Sequence, residues 1–256
     1  MKITMLGCGG SLGVPTITND WGECDPSEPR NRRTRPSIVI ETGGKVILVD
    51  AGPDLRLQML AAKITHVDAI LFTHEHADHI MGVDDLRPFS LATGKPLEIY
   101  GMARTIETLQ VRFDYMFQAS SSEYTRAFVN PHIIEAGDYI AELGIQTFAQ
   151  EHATRVPVSL GLRSGAFGYS TDVIRIGEEG FRILDGVDTW IVAALRRQPH
   201  NAHASLETVL QWIDRVKPRH AILTHMNYMM DYQTLRAELP PHVEPGYDNM
   251  VIALED

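Results

Sequence analysis

Cysteine, long apolar runs and basic charge are all scarce in this sequence of 256 residues. Only Cys8 and Cys24 are present, which excludes a disulfide-built fold and suits a reducing compartment. No stretch approaches the roughly 18 consecutive apolar residues of a membrane-spanning helix. Met1 to Pro15 contains four glycines and no continuous apolar segment of the kind a secretory signal carries. A soluble, cytoplasmic protein without a membrane partner is expected. Lys and Arg number 23 against 33 Asp and Glu, a formal net charge of -10, which repels polyanions unless the basic residues are gathered in one place. Nucleic acid is therefore not an expected partner. Hydrophobic residues make up 44% of the chain and charged residues 22%, a balance that excludes disorder and permits a substantial core.

The local signals alternate between strand and helix. Lys2 to Leu6 is a strand candidate running into Gly7, Gly9, Gly10 and Gly13. Ser37 to Thr42 and Lys45 to Asp50 are β-branched runs separated by Gly43-Gly44, the pattern of a two-residue hairpin. Pro53 opens a short helix carrying Leu55, Leu57 and Leu60, and Ala69 to Thr73 is a buried strand. Ile106, Leu109, Phe113 and Phe117 give a helical period over Met102 to Phe117. Successive strands are expected at Tyr139 to Leu143, Ile145 to Gln150, Val158 to Arg163 and Phe167 to Ser170. Thr189 to Leu195 and Ala221 to Thr224 read as buried strands around a helix from Ser205 to Val216, with Ser205 as its N-cap. Met250 to Leu254 closes the pattern. No repeat or linker interrupts it, so one α/β domain over residues 1–256, with two sheets and covering helices, is expected.

The chemistry is concentrated after the strand ending Leu71-Phe72-Thr73. There His74-Glu75-His76-Ala77-Asp78-His79 places three imidazoles and a carboxylate where a loop meets a helix. Imidazole nitrogen and carboxylate oxygen are ligands for first-row divalent metals, and a tight strand-to-helix turn lets such side chains converge. Three more potential ligands sit at strand ends: His152, Asp172 and His225.

These residues, in this order, resemble the metallo-β-lactamase superfamily, whose fold is a four-layer αββα sandwich with a dinuclear metal site at one edge of its sheets. The resemblance implies that His74, His76 and His152 bind one metal, that Asp78, His79 and His225 bind a second, and that Asp172 bridges them. It gives Asp50, in Val49-Asp50-Ala51-Gly52, a supporting role behind the ligands. Two divalent ions, Zn or Mn, are the implied cofactors. The bridging position holds Asp172 where the zinc β-lactamases carry Cys, so antibiotic hydrolysis is not the expected activity.

Leu6-Gly7-Cys8-Gly9-Gly10-Ser11-Leu12-Gly13-Val14-Pro15 and Arg32-Arg33-Thr34-Arg35-Pro36-Ser37 resemble the phosphodiesterase side of the superfamily, including phosphoribosyl cyclic-phosphate phosphodiesterases and tRNA 3′-end endonucleases. Asn201-Ala202-His203-Ala204-Ser205-Leu206 matches the place where these enzymes carry a catalytic histidine, a role the resemblance gives to His203, with His200 as competitor. Together with Asp78 and Asp172 it would form the catalytic set around a metal-bridging hydroxide. Arg32, Arg33 and Arg35 can hold a non-reacting phosphate or simply form a solvated turn. Some relatives bind a further structural zinc through N-terminal Cys residues and a late His, but this chain has Cys24 alone and Tyr228 at those places. The expected function is hydrolysis of a small phosphodiester, with a ribosyl cyclic phosphate as one candidate. tRNA 3′-end processing is the first alternative, yet the candidate RNA-holding insert, Met102 to His132, sets Arg104, Arg112 and Arg126 against Glu107, Asp114 and Glu123 and is not basic. A redox di-iron protein on the same scaffold is a further alternative. A homodimer is the quaternary state the resemblance suggests.

Overall fold

The computed structural model describes residues 1–118, 127–153 and 155–254. Among these, the first sheet is built from β1 (Lys2–Gly7), β2 (Ser37–Thr42), β3 (Lys45–Val49), β4 (Ala69–Leu71), β5 (Leu97–Gly101) and β6 (Val129–Ile133), in that spatial order. The closing strand β15 (Met250–Ala253) pairs antiparallel with β1. The second sheet takes β7 (Tyr139–Ile140), β8 (Ile145–Glu151), β9 (Val158–Ser164), β10 (Phe167–Ser170), β11 (Arg175–Ile176), β12 (Thr189–Ala193), β13 (His220–Thr224) and β14 (Val243–Pro245). Its order is β11-β8-β9-β10-β12-β13-β14, with β7 on β8.

The β2–β3 hairpin forms as its sequence demands. Gly43 and Gly44 both take positive φ, 55° and 75°, the type I′ combination that matches the twist of the flanking strands. Beyond β3 the first sheet turns parallel through β4, β5 and β6, and in the second sheet β10, β12, β13 and β14 are parallel. Parallel strands bring their carboxyl ends to one rim, where loops collect functional groups.

Side-chain alternation separates two cores. Ile38, Ile40, Ile47, Val49 and Leu71 point into the space between the sheets and meet Leu160, Leu162, Tyr169 and Ile191. Val39, Leu48 and Ile70 point the other way, against Leu55 and Met59 of α1 (Leu55–Ala62) and Ile106 and Leu109 further along. Strands apolar on both faces are buried on both, and each such Val, Leu or Ile contributes about 1.5–3 kcal/mol. The remaining helices are α2 (Ala77–Ile80), α3 (Arg87–Thr93), α4 (Ala103–Arg112), α5 (Asp114–Phe117), α6 (Glu178–Leu184), α7 (Leu206–Val216) and α8 (Tyr232–Glu238). Buried Leu184, Val209 and Ile213 of α6 and α7 join the inter-sheet cluster through the second sheet. The layers are helix, sheet, sheet, helix.

Some expectations need correction. The helix predicted over Met102 to Phe117 breaks at Phe113, whose φ of -134° and ψ of 43° are not helical. Tyr139 starts a strand of only two residues, because Ala141–Gly144 turn back onto Ile140. In α1 the buried face is Leu55, Gln58 and Met59, whereas Leu57 and Leu60 are exposed. Glu123 and Arg126 of the candidate insert lie outside the described residues.

Candidate metal centre

Asp50, Thr73, His152, Asp172 and His225 all lie one or two residues past a strand end, on the rim where the two sheets meet. Three of them hold left-handed backbone: Asp50 (φ 63°), Asp172 (φ 49°) and His225 (φ 55°). That conformation is costly for residues with a Cβ and persists where the surroundings impose it, frequently at functional sites. The effect is a sharp turn that aims each side chain back across the sheet edge.

Two groups of potential ligands result. His74, His76, His152 and Asp172 offer atoms within 4.8 Å of one another, and so do Asp78, His79, Asp172 and His225. Asp172 belongs to both, one oxygen to each. Its Oδ1 lies 3.9 Å from His74 Nε2 and 3.8 Å from His152 Nε2. Its Oδ2 lies 2.9 Å from His79 Nε2 and 3.2 Å from His225 Nε2. Asp78 Oδ2 approaches the same two rings, at 3.4 and 3.5 Å.

Neighbouring groups fix the rings. Asp50 accepts from the Thr73 amide and hydroxyl, both at 2.8 Å, and its Oδ2 is 2.7 Å from His79 Nδ1. Because the Thr73 hydroxyl donates to Asp50, its lone pair is left to accept from His74 Nδ1 at 3.0 Å. His152 Nδ1 donates to the Ala202 carbonyl at 2.9 Å. Each of these contacts sets the tautomer that turns Nε2 inward.

The donor set fits divalent cations. Nε2 of His74, His79 and His225 is buried and makes no aligned hydrogen bond, a condition that a native interior tolerates only with a reason. The electrostatics agree. Burial pushes the Asp172 carboxyl up, but His225 and His79 outweigh it and hold the group well below the usual carboxylate range. Burial pushes His225 down, and Asp172 and Asp78 overcome this and lift it to about 9.

His203 lies at the mouth of this centre, its Nδ1 3.8 Å from Asp172 Oδ1 and its ring between those of His152 and His225. Burial, opposed by Asp172 but reinforced by His225, His152 and His200, pushes it down to about 3. His200 stands further out, its Nδ1 accepting the Ala202 amide at 3.2 Å. Of the two, His203 is the one beside the carboxylate.

The arginines separate. Arg33 is buried, and its guanidinium donates to the carbonyls of Met230 (2.7 Å) and Asn227 (3.3 Å) and to Asn31 Oδ1 (3.2 Å). It therefore ties two loops together and does not present itself to a substrate phosphate. Arg32 lies over the Trp21 ring. Only Arg35, whose Nε is 2.9 Å from Asp54 Oδ2, lines the cleft of about 750 Å³ that opens beside Asp78.

Several supporting contacts had no signal at the level of sequence. Asp248 accepts from Cys8 N, Thr34 N and the Thr34 hydroxyl, pinning the glycine loop to the closing segment, and burial raises it to about 6. That loop in turn exchanges backbone bonds with Met226, next to His225. Glu75 Oε1 is 2.5 Å from Arg104 Nε, anchoring the histidine motif to α4. Cys24 lies 3.9 Å from Arg33 Nη1, and the Glu23 amide donates to the Tyr228 carbonyl.

Comparison with known proteins places the chain. Residues 45–226 match the β-lactamase superfamily domain, and the chain belongs to that superfamily, with the metallo-β-lactamase fold. A crystal structure described as a new diphosphatase from the PhnP family superposes with a TM-score of 0.88 at 32% identity, covering 98% of this chain and 97% of that one. An octanoyltransferase of Porphyromonas gingivalis is 30% identical over all of this chain but over 52% of its own length. A ribonuclease Z of Clostridium kluyveri is 30% identical over 118 residues, 43% of this chain and 34% of the relative. The chain thus spans about half, or less, of the curated relatives it matches.

Proposed function

We propose that the protein is a dinuclear metal-dependent hydrolase of a small phosphodiester, a ribosyl cyclic phosphate being one candidate. The observation that carries this reading is Asp172, which turns one oxygen toward each of two ligand groups. His74, His76 and His152 would hold one ion, Asp78, His79 and His225 the other, with Asp172 shared. Bound there, Zn or Mn would lower the pKa of water and offset phosphoryl charge. The likeness to a PhnP-family diphosphatase at 32% identity supports P–O bond chemistry.

The chain's own residues then divide the work. Asp50 and the Ala202 carbonyl hold His79 and His152 in the orientation the ions need. His203, neutral at pH 7 with its pKa near 3, hydrogen-bonds a phosphoryl oxygen. It becomes a proton donor to the leaving group only as substrate negative charge raises its basicity. Arg35 supplies the cation for a second charged group.

Ribonuclease Z relatives favour tRNA 3′-end processing as a second reading. The net charge of -10 argues against it. The test is hydrolysis of bis(p-nitrophenyl) phosphate and of small cyclic phosphodiesters by Zn- and Mn-loaded protein, with metal content measured on the same samples. Turnover with about two ions per chain is expected. Two ions with no diester cleaved in either series would refute the assignment.

A further inference from the structure

The left-handed turns at Asp50, Asp172 and His225 are not held alike. After His225, Met226 is tied by backbone bonds to Cys8 and Gly10. At the two aspartates a serine hydroxyl takes that part. Ser37 Oγ lies 3.0 Å from the Val49 carbonyl oxygen and 2.9 Å from that of Asp50, sharing its one proton between them. Ser159 Oγ repeats the arrangement, 2.9 Å from the Asp172 carbonyl oxygen and 3.4 Å from that of Thr171. Both serines are buried.

The match extends to the strand pairing. The β2–β3 register sets Ile38 opposite Val49, and one step further brings Ser37 opposite Asp50. The β9–β10 register sets Leu162 opposite Tyr169, and three steps further brings Ser159 opposite Asp172. The same fork thus occurs once in each sheet, at a strand end that delivers a carboxylate to the centre. A residue that leaves a strand through left-handed backbone turns its carbonyl out of the ladder, and a buried carbonyl without a partner is costly. The serine on the neighbouring strand supplies the partner. By holding the carbonyls before and after the aspartate Cα, it fixes the φ and ψ from which the side chain departs. Around Asp172 the fork is reinforced. Gln150 Nε2 donates to Ser159 Oγ at 3.3 Å and to the Thr171 carbonyl at 3.1 Å, and the Thr171 hydroxyl donates to Asp172 Oδ2 at 2.8 Å. Because Ser159 Oγ accepts from Gln150, its own proton is left for the two carbonyls.

We propose that Ser37 and Ser159 are positioning residues of the metal centre, Ser159 aiming Asp172 and Ser37 aiming Asp50. This rests on the two-ion reading above and adds the groups that set its geometry. The two serines differ in reach. Asp172 belongs to both ligand groups, so loss of its fork falls on both ions. Asp50 meets His79 directly and His74 only through Thr73, so loss of the Ser37 fork falls chiefly on the ion held by His79.

The test measures Zn affinity by competition with a chromophoric chelator, on protein stripped of metal, in Ser159→Ala, Ser37→Ala and Ser90→Ala. Ser90 is the control, a buried serine whose hydroxyl donates to the Lys95 carbonyl at 2.8 Å, outside both ligand groups. All three changes should lower the Tm of the metal-free protein by about 2–4 °C, as loss of one buried hydrogen bond does in a chain of this size. Ser159→Ala should weaken both Zn-binding steps about 10–100-fold and Ser37→Ala one of the two, whereas Ser90→Ala should leave both within about twofold of wild type. Ser159→Cys keeps the volume, offers only a weak donor and should resemble Ser159→Ala; it carries the comparison if the alanine variant does not fold. Zn affinities in Ser159→Ala that match those of Ser90→Ala, or wild-type affinities in Ser159→Cys, overturn the inference while leaving the metal centre standing. Wild-type protein that binds no Zn refutes the two-ion reading and this inference with it.

Discussion

At the scale of single residues, the site is a set of side chains whose partners decide their protonation and aim. Asp172→Ala removes the atom pair shared by both ligand groups. Metal content should fall below about one ion per chain and phosphodiester turnover should disappear, as read by metal analysis and the p-nitrophenolate assay. His203→Ala touches no shared ligand atom, so both ions should stay while kcat drops about 10²–10⁴-fold. Full kcat in that variant would remove His203 from the chemistry. Gly52 is a subtler case. A Cβ there would stand 2.2 Å from the Asp78 carbonyl oxygen, closer than real atoms approach, and Asp78 must shift to admit it. Gly52→Ala is expected to retain the fold by circular dichroism while binding about one ion instead of two.

At the scale of elements, strand ends carry His152, Asp172 and His225 together with the supporting Asp50 and Thr73, and the start of α2 carries His76, Asp78 and His79. α7 begins at Leu206 with Ser205 as N-cap, its hydroxyl accepting the Thr208 amide at 3.3 Å, and His203 sits two residues before that cap. Ser205→Ala should cost about 1 kcal/mol, a fall in Tm of about 2–4 °C for a chain of this size. It should also lower kcat, since the loop carrying His203 loses its fixed end; a Tm loss with kcat intact would make the cap purely structural. The helix period correctly marked α7 and α4, because amphipathic spacing is a local property. The break at Phe113 left no such mark, as Phe113 is buried among Leu109, Met116 and Phe128 and the interruption answers to packing. Arg33 shows the same limit. Four arginines in six residues, Arg30, Arg32, Arg33 and Arg35, read as one patch, yet the chain turns each to a different neighbour.

At the scale of the whole molecule, the centre joins the two sheets, so ions bound there would bind the folded state alone and stabilise it. Protons compete with them. The proton on His225, whose folded pKa is lifted to about 9, stabilises the metal-free protein fully below the ordinary histidine value of about 6.5 and ceases to do so as pH rises through 9. A cation that needs the same lone pair loses about 1.4 kcal/mol of binding for each pH unit below 9, per proton displaced. The rise in Tm on adding Zn should therefore be larger at pH 8.5 than at pH 6.5, and EDTA should reverse it. An equal rise at the two pH values would contradict a site built on His225. The described residues include no helix long and apolar enough to cross a membrane.

The amino-acid sequence by itself determined the alternation of strands and helices, the β2–β3 hairpin and the clustering of imidazoles and a carboxylate at His74–His79, because periodicity, glycine pairs and that motif act over a few neighbours. The superfamily was legible for the same reason, through motifs that keep their order along the chain. Tertiary structure alone decided which atoms face which. His74 and His225 come from different sheets, and only the packing of those sheets puts Asp172 between them. Only the fold buries Arg33, pins the glycine loop through Asp248 and brings Leu12, Ile17 and Tyr228 to one cleft. These contacts span some 200 positions in sequence, a separation at which no local pattern constrains the pairing and the packing of two cores does.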